Sequence, residues 1–234
     1  WLVFILAPVM TGLIGLLLEK LAYKPLRSSP RITILISAIG ASFLFQNLGI
    51  LVFGGRSKAF PTPEFLNKII KIGGVSIGLV SLIIPVVTMF LLLVLTFIIQ
   101  KTKTGMAMRA LSKDYEVASL MGIDINGVIS FTFFIGSFLA AVGGILWGIK
   151  YPQLMPLMGV MPGLKCFIAA VIGGIGNIAG AVIGGFILGL GEIMLIAFLP
   201  KLTGYRDAFA FILLIIILLI KPTGLMGEKV AEKV

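Results

Sequence analysis

Few residues in this sequence could take part in chemistry within an apolar environment. The amides Gln46, Asn47 and Asn177 and the carboxylate Glu192 interrupt long apolar stretches. Polar side chains are costly inside a membrane span unless they face protein or water. The spans offer neither a pair of catalytic carboxylates nor a nucleophile beside a base, so we predict that the chain is not an enzyme.

Each of these polar residues has two interpretations. Gln46 and Asn47 either join helices through hydrogen bonds or line a solute pathway. Asn177 either caps a helix or faces solute in that pathway. Glu192 either binds a proton or a cation, or lies at the outer water interface, because Pro200 follows it closely.

The composition excludes several other kinds of site. Histidine is absent and Cys166 is the only cysteine, so the sequence predicts no disulfide and no metal site. It contains no Gly-x-x-x-x-Gly-Lys-Ser/Thr phosphate loop, so we do not expect the chain to hydrolyse ATP. Its 19 Lys and Arg outnumber its 9 Asp and Glu, and this excess belongs to loops and membrane faces. We therefore predict no cofactor and no nucleic-acid partner.

The elements that must position these residues are membrane helices. Hydrophobic residues make up 59% of the chain and charged residues 12%, and the mean hydropathy is +1.17. These values predict an all-α, polytopic membrane protein with a single transmembrane domain over residues 1–234. About six membrane segments are expected: Trp1–Leu18, Ile32–Phe53, Ile77–Gln100, Val128–Ile149, Lys165–Leu199 and Ala208–Ile220.

The connections between these segments indicate which way the chain lies in the membrane. Glu19 and Lys20 are expected to end the first span at a water interface. The basic cluster within Tyr23–Arg31 then places the first loop in the cytoplasm. Residues 71–77 alternate around Gly73 and Gly74, which is typical of a small hairpin on the outer side.

The segment Lys165–Leu199 is too long for one simple crossing of a roughly 30 Å membrane core. A cluster of small residues predicts a break or re-entrant turn within the region 164–192. Broken helices expose backbone groups to solute at membrane depth, so its members are pathway candidates. They are Gly173, Gly174, Gly176 and Asn177.

Two series of small residues predict close helix packing. Gly176, Gly180 and Gly184 share one face after the break. Gly136, Ala140, Gly144 and Gly148 recur along the fourth span in the same way.

A long polar interruption, residues 101–127, reads KTKTGMAMRALSKDYEVASLMGIDING. Helix formers from Gly105 to Leu120, a possible cap or break at Ser112 and a stop at Gly122 predict short helices. Their apolar and charged residues separate onto different faces, as in a helix that lies in the groove of a partner. We interpret this segment as a cytoplasmic docking loop. A solvated connector is the simpler alternative.

Several motifs resemble a known family of bacterial and archaeal transporters. Glu116–Gly122 is similar to the Glu-Ala-Ala-x-x-x-Gly loop of ABC importer permeases, with Val117 in place of the first alanine. Ala169–Ala181 resembles the glycine-rich signature of the H-type permease of high-affinity branched-chain amino-acid transporters, where serine is frequent at the position of Asn177. Other segments resemble the same family: Tyr23–Arg31, Ile36–Gly40, Gln46–Asn47 and Lys221–Gly227.

The resemblance implies a permease subunit of an ABC importer in the cytoplasmic membrane. It implies that Arg109, Glu116, Ala118 and Gly122 contact an ATPase subunit. The implied partners are a related M-type permease, two ATPase subunits and an extracytoplasmic amino-acid-binding protein. It also implies further spans ahead of Trp1, because the family's opening span carries an Asn-Phe-Ala-His-Gly type of motif.

Two alternatives for function stay open at this point. A relative within the same superfamily could carry urea, other amides or nucleosides. An ion-coupled carrier would rely on Glu192 instead of a partner ATPase.

Overall fold

The structure, a computed structural model, describes residues 2–227 apart from Ser28, residues 63–65, Asn67, Gly73 and Gly74. Six of the helices in this part are long and apolar enough to cross a membrane. They are Phe4–Leu26, Ile32–Phe53, Leu79–Lys101, Ile125–Lys150, Ile178–Phe198 and Pro200–Ile220. The prediction of an all-α, polytopic membrane protein is confirmed.

Packing divides the chain into two compact units, Trp1–Leu157 and Met158–Val234. The helices of unit 1 are α1 (Leu2–Leu18), α2 (Arg31–Phe53), α3 (Leu79–Lys101), α4 (Lys103–Lys113), α5 (Tyr115–Leu120) and α6 (Ile125–Lys150). Those of unit 2 are α7 (Val160–Gly173), α8 (Ile178–Phe198) and α9 (Arg206–Ile220), with a 3₁₀ helix at Pro200–Tyr205 before α9.

Short antiparallel strands complete unit 1. β1 (Lys58–Ala59) pairs with β4 (Gln153–Leu154). β2 (Ile69–Ile72) pairs with β3 (Val75–Gly78) in the register of the predicted hairpin, whose two turn glycines lie outside the described residues. Because β3 runs to Gly78, α3 begins two residues later than the predicted third span.

Helices α1 and α6 form the main packed pair of unit 1. They approach closely at glycines of α1: the space beside Gly12 is filled by the ring of Phe134, and that beside Gly15 by Ser137 and the Phe133 backbone. Close packing was predicted at small residues of α6, whereas this close approach is at glycines of α1. Gly136 and Gly144 have no atom within 4 Å of an added Cβ among the described residues. Gly148, the last residue of the same series, is buried against the ring of Phe60, so among the described residues this face of α6 is open at Gly136 and Gly144 and covered at Gly148.

The end of the first span differs from its predicted position. Glu19 does not lie at a water interface, because its side chain is fully buried. The helix continues past α1 as a π-helix, Glu19–Tyr23, and a 3₁₀ turn, Lys24–Leu26. Helix α2 then makes its main contacts within the described part of unit 1 with that π-helix, and both sides of α2 are largely exposed.

Unit 2 is a helical hairpin with a third helix against it. The predicted break in Lys165–Leu199 is confirmed: α7 ends at Gly173 and α8 begins at Ile178. The two arms are antiparallel, because Lys165 near the start of α7 contacts Glu192 near the end of α8. Helix α9 packs against both arms. A small apolar core holds them together: Ile168, Ile172, Leu188 and Ala210.

Candidate functional site

The docking loop forms two short helices whose ends are capped by side chains. The Thr102 hydroxyl accepts a hydrogen bond from the Gly105 amide at 3.1 Å, at the start of α4. The Asp114 carboxylate accepts from the Glu116 and Val117 amides at 3.1 and 3.2 Å, at the start of α5. Such caps satisfy amides that the first turn of a helix leaves unpaired. The loop therefore has a defined shape between α3 and α6.

The break between the two helices lies at Asp114, not at Ser112. Asp114 has the extended backbone of a cap residue, and its carboxylate bonds to the amides that follow it. The Ser112 hydroxyl donates to the Arg109 carbonyl within α4 at 2.9 Å. Only Ser112 was predicted as a cap or break, but the acceptor that reaches two amides of the next helix is Asp114, so the break lies there.

The predicted docking residues of α5 divide into exposed and buried positions. Glu116 is exposed, whereas Ala118 is only 3% exposed and faces the rest of the unit. Leu120 and Met121 are 85% and 77% exposed. The large apolar side chains at the end of α5 are thus left uncovered by the described residues, beside an exposed carboxylate. This is the surface expected of a short helix that binds a partner.

The remaining docking candidates lie on either side of α5. Gly122 is exposed and adopts a positive φ of 75°, which stops the helix as the sequence predicts. Arg109 is exposed on α4, and its guanidinium donates to the Gln100 carbonyl at 3.5 Å. The structure therefore brings Arg109, Glu116 and Gly122 onto one connected segment outside the long apolar helices.

The pathway candidates of unit 2 meet at the turn of the hairpin. The Asn177 side chain accepts a hydrogen bond from the Gly180 amide at 2.9 Å, so it caps α8. Its amide also donates to the Met226 carbonyl at 3.1 Å. Of the two interpretations of Asn177, the structure contains the capping one.

The glycines of the break have different surroundings. Gly173 and Gly174 are buried, and an added Cβ at either would collide with backbone, that of Gly180 or that of Gly227. Gly176 is exposed, with a φ of 94° and no described atom within 4 Å of an added Cβ. Gly176 is thus the one of these three glycines that has open space beside it.

The segment after α9 closes the same turn, a feature that sequence reasoning missed. The Leu225 amide donates to the Ile172 carbonyl at 2.9 Å, and the Met226 amide donates to the Gly173 carbonyl at 2.8 Å. These bonds satisfy carbonyls at the end of α7 that the helix leaves free. The Gly224 turn, with a φ of 79°, allows the chain to fold back. A Lys-Pro-Thr-Gly sequence after an apolar helix was the available signal of a turn.

Glu192 is paired with cations at the opposite end of the hairpin. Its carboxylate lies 2.7 Å from the Lys165 ammonium and 3.2 Å from the Arg206 guanidinium. Lys165 also lies 2.8 Å from Asp207. Two carboxylates thus face two cations across three helices. In the part of the chain that the structure describes, no group of residues is arranged to hold a metal ion.

Gln46 and Asn47 make hydrogen bonds within α2. The Gln46 amide donates to the Ser42 hydroxyl at 3.0 Å, and the Asn47 amide donates to the Phe43 carbonyl at 2.8 Å. These bonds lower the cost of an amide in an apolar helix without using a second helix. The described residues therefore do not show the contacts between helices that one interpretation of this pair required.

A polar cluster around the buried Glu19 in unit 1 joins the first loop to the start of α6, and sequence reasoning missed it. Arg27 forms an ion pair with Glu19, and its guanidinium also donates to the Asn126 side chain at 2.6 Å. The Ser130 hydroxyl donates to the other Glu19 oxygen at 2.7 Å. The basic loop was recognised only as an orientation signal, and nothing in the linear pattern pairs Arg27 with Asn126.

The long apolar helices of the described residues define the class of polytopic helical membrane proteins. A family model described as the branched-chain amino acid transport system / permease component matches residues 1–218. The chain belongs to this family of transport permeases.

Individual relatives agree with this assignment. The high-affinity branched-chain amino acid transport system permease protein LivH of Escherichia coli (strain K12) is 42% identical over 236 residues, covering 99% of this chain and 75% of that protein. The corresponding protein BraD of Pseudomonas aeruginosa is 41% identical over 231 residues, covering 97% and 74%. A probable LivH of Methanocaldococcus jannaschii is 28% identical over 224 residues, covering 94% and 60%. No solved structure matches the chain.

Proposed function

We propose that this chain is the permease subunit of an ABC importer that moves branched-chain or related apolar amino acids across the cytoplasmic membrane. Residues 1–234 act as one permease domain. A related M-type permease completes the pathway, two ATPase subunits hydrolyse ATP, and an extracytoplasmic binding protein delivers the amino acid. The relatives named for branched-chain amino acid transport support the choice of solute.

The observation that carries the proposal is the exposed surface of the docking loop. Val117, Leu120 and Met121 present apolar side chains outside the long spans, beside the exposed Glu116. Capping bonds at Thr102 and Asp114 support the helices that carry these residues. A short, shaped, amphipathic segment fits the groove of a partner protein. We assign that groove to an ATPase subunit.

The loop transmits the closure of the ATPase subunits to the membrane helices. Arg109, Glu116 and Gly122 take part in the contact surface, and Ala118 packs beneath it and supports α5. A rigid-body shift of the loop between two arrangements switches the access of the pathway.

The pathway lies where exposed helices meet the second permease. Gln46 and Asn47 lie on α2, and a partner packed against α2 would enclose both amides. Gly176 can face solute at the turn of the hairpin, because the space beside it is open. Gly173, Gly174 and Asn177 support that turn through their packing and hydrogen bonds.

Uptake into proteoliposomes tests this proposal directly. The chain is reconstituted with the M-type permease, the ATPase subunits and the binding protein, and entry of labelled leucine is measured. We expect uptake that requires ATP, continues when ionophores collapse ion gradients, and is not competed by urea or a nucleoside. Uptake that continues without ATP but stops with the ion gradient would contradict the proposal.

In the same assay, the variant Glu192→Gln distinguishes the importer from an ion-coupled carrier. Glutamine keeps the size of the side chain and removes its negative charge, so an ion-coupled carrier that depends on Glu192 would lose transport. In the importer, Glu192 is part of a charge cluster with Lys165 and Arg206. We therefore expect ATP-driven uptake, normalised to the amount of folded protein, to persist.

A further inference from the structure

The ion pair between buried Glu19 and partly exposed Arg27 lies at the place where the docking loop ends. Arg27 belongs to the first loop, and Asn126, to which it donates, is in the first turn of α6. That turn forms the C-terminal end of the docking loop, residues 101–127, with Asp124 as its cap. Glu19 is held from both sides, by Arg27 and by Ser130 of α6. The cluster therefore ties the first loop to the far end of the docking loop by two separate bonds to α6.

Stability alone is a poor explanation for this arrangement. Burying the Glu19 carboxylate costs desolvation energy even though it is paired, and an apolar residue of similar volume often stabilises a fold as well or better. A buried carboxylate with a partner on each oxygen instead fixes one relative position of the groups that it joins. The π-helix at Glu19–Tyr23 is consistent with a special role, since π turns inside helices are frequent at functional sites.

The element that depends on this cluster is α2. Its main contacts within the described part of unit 1 are with the π-helix that begins at Glu19. Arg27 lies close in sequence to Arg31, the first residue of α2. The Ser37 hydroxyl adds one further bond to this region, donating to the Ala22 carbonyl at 3.4 Å. The first turns of α2, which we call its base, are therefore positioned by the segment that contains Arg27.

We propose that Glu19 and Arg27 are positioning residues that relay movement of the docking loop to the base of α2. We name Glu19, Arg27, Asn126 and Ser130 the relay cluster. The inference rests on the proposed function, because it requires that an ATPase subunit moves the loop. When the loop and the first turn of α6 shift, Arg27 and Glu19 shift with Asn126 and Ser130, and α2 follows. Since α2 carries Gln46 and Asn47, the relay reaches the proposed solute pathway.

The double variant Asn126→Ala with Ser130→Ala tests the relay without breaking this ion pair. It removes both bonds from the cluster to α6 and leaves Glu19 paired with Arg27. In proteoliposomes with the partner subunits, we expect leucine transported per ATP hydrolysed to fall at least about fivefold, a typical size for a coupling between sites. ATP hydrolysis and the association of ATPase subunits should persist.

A matched control comes from the same helix. Thr132→Ala also removes a hydroxyl from α6, but the Thr132 hydroxyl bonds to the Val128 carbonyl of its own helix at 2.8 Å. We expect this variant to keep the wild-type ratio of transport to hydrolysis. A double variant with the same ratio as Thr132→Ala would overturn the relay. Absence of ATP-driven uptake in the wild type would instead reject the proposed function itself.

Arg27→Lys tests the relay by a second route if the double variant does not assemble. Lysine keeps a cation against Glu19, so the buried carboxylate is not left unpaired. The Arg27 guanidinium uses one nitrogen to bond Glu19 and another to bond Asn126. A single ammonium group does not reproduce this planar arrangement. We expect the same loss of coupling, and unchanged coupling in this variant would also overturn the relay.

A distance measurement separates a relay from a purely structural role. Spin labels at exposed Thr33 in the first turn of α2 and exposed Lys113 at the end of α4, in a Cys166→Ser background, report on the two ends of the relay. We expect their distance to stay constant with and without ATP in the wild type. In the double variant, we expect it to change on adding ATP, because the loop moves without α2. A distance that stays constant in both proteins would contradict the relay.

Discussion

Gly122 sets the backbone geometry at the end of α5. Its φ of 75° lies in the left-handed region, and no described atom lies within 4 Å of an added Cβ. The requirement at this position is therefore conformational and not steric. A residue with a Cβ costs about 1–2 kcal/mol in this backbone region, and a β-branched one is a clear outlier there.

Replacement of Gly122 should separate ATP hydrolysis from transport. We expect Gly122→Val to shift the chain after α5 and lower leucine uptake per ATP hydrolysed, because the exposed surface of α5 would be presented at a different angle. Asparagine tolerates the left-handed region better than most residues, so Gly122→Asn is the matched control and should retain most of the coupling. Equal coupling in the two variants and the wild type would remove Gly122 from the mechanism.

Residues with a local role were more predictable than those with a distant partner. The stop at Gly122 follows from residue type and a few neighbours in sequence, and so does the cap at Asn177, which was one of the two interpretations left open for that residue. Glu19 was expected at a water interface, since a charge at the end of an apolar run usually lies there. Its burial depends on Arg27 and Ser130, and Ser130 comes from a helix far along the chain. Period and composition carry no information about such a pair.

At the scale of elements, the hairpin of α7 and α8 depends on small residues where its arms meet. Added side-chain atoms at Gly180 or Gly184 would collide with backbone of α7, at Gly173 or Ala169. Gly185, one residue further along α8, has no described atom within 4 Å of an added Cβ. In a membrane, helices gain no hydrophobic stabilisation from packing against one another. The van der Waals contacts that this close approach allows stabilise the hairpin instead.

Gly184→Ala and Gly185→Ala form a matched pair that tests this packing. The first should force the arms apart and lower the stability of the folded protein by about 1–3 kcal/mol, as overpacking does. The second adds the same methyl group to open space and should be close to neutral. Thermal unfolding in detergent measures both, and equal stabilities would show that the arms do not pack through Gly184.

The elements themselves were largely predictable, and their partners were not. The glycine cluster after Ile172 predicted the break, because glycine adopts positive φ angles readily and destabilises the interior of a helix. The same kind of pattern on α6 predicted close packing, yet among the described residues only Gly148 is covered, by Phe60, and Gly136 and Gly144 are open. A series of small residues identifies a face that can be approached closely. It does not state which element, or which chain, covers that face.

At the scale of the whole molecule, several surfaces are left uncovered by the described residues. Helix α2 is largely exposed, α6 is open at Gly136 and Gly144, and Leu120 and Met121 are exposed at the end of α5. In the proposed importer, a second permease would cover part of the membrane helices and an ATPase subunit would cover the end of α5. The sequence predicted the membrane class from composition alone. In the proposed importer the pathway is shared between two permease subunits, so this chain alone would determine only part of the choice of solute.

The most direct test of the central claim is a cross-link from the docking loop to an ATPase subunit. The single cysteine of a Leu120→Cys, Cys166→Ser variant is suited to this test, because Leu120 is 85% exposed whereas Ala118 is buried. A cysteine at exposed Lys58, on the opposite side of the membrane by the predicted orientation, is the control.

We predict that in native membranes the cysteine at position 120 cross-links to an ATPase subunit, that the yield changes when ATP is added, and that the cysteine at position 58 gives no such product. Folded, inserted protein that gives no cross-link at position 120, or the same yield from both positions, would contradict the claim that this loop couples the permease to an ATPase.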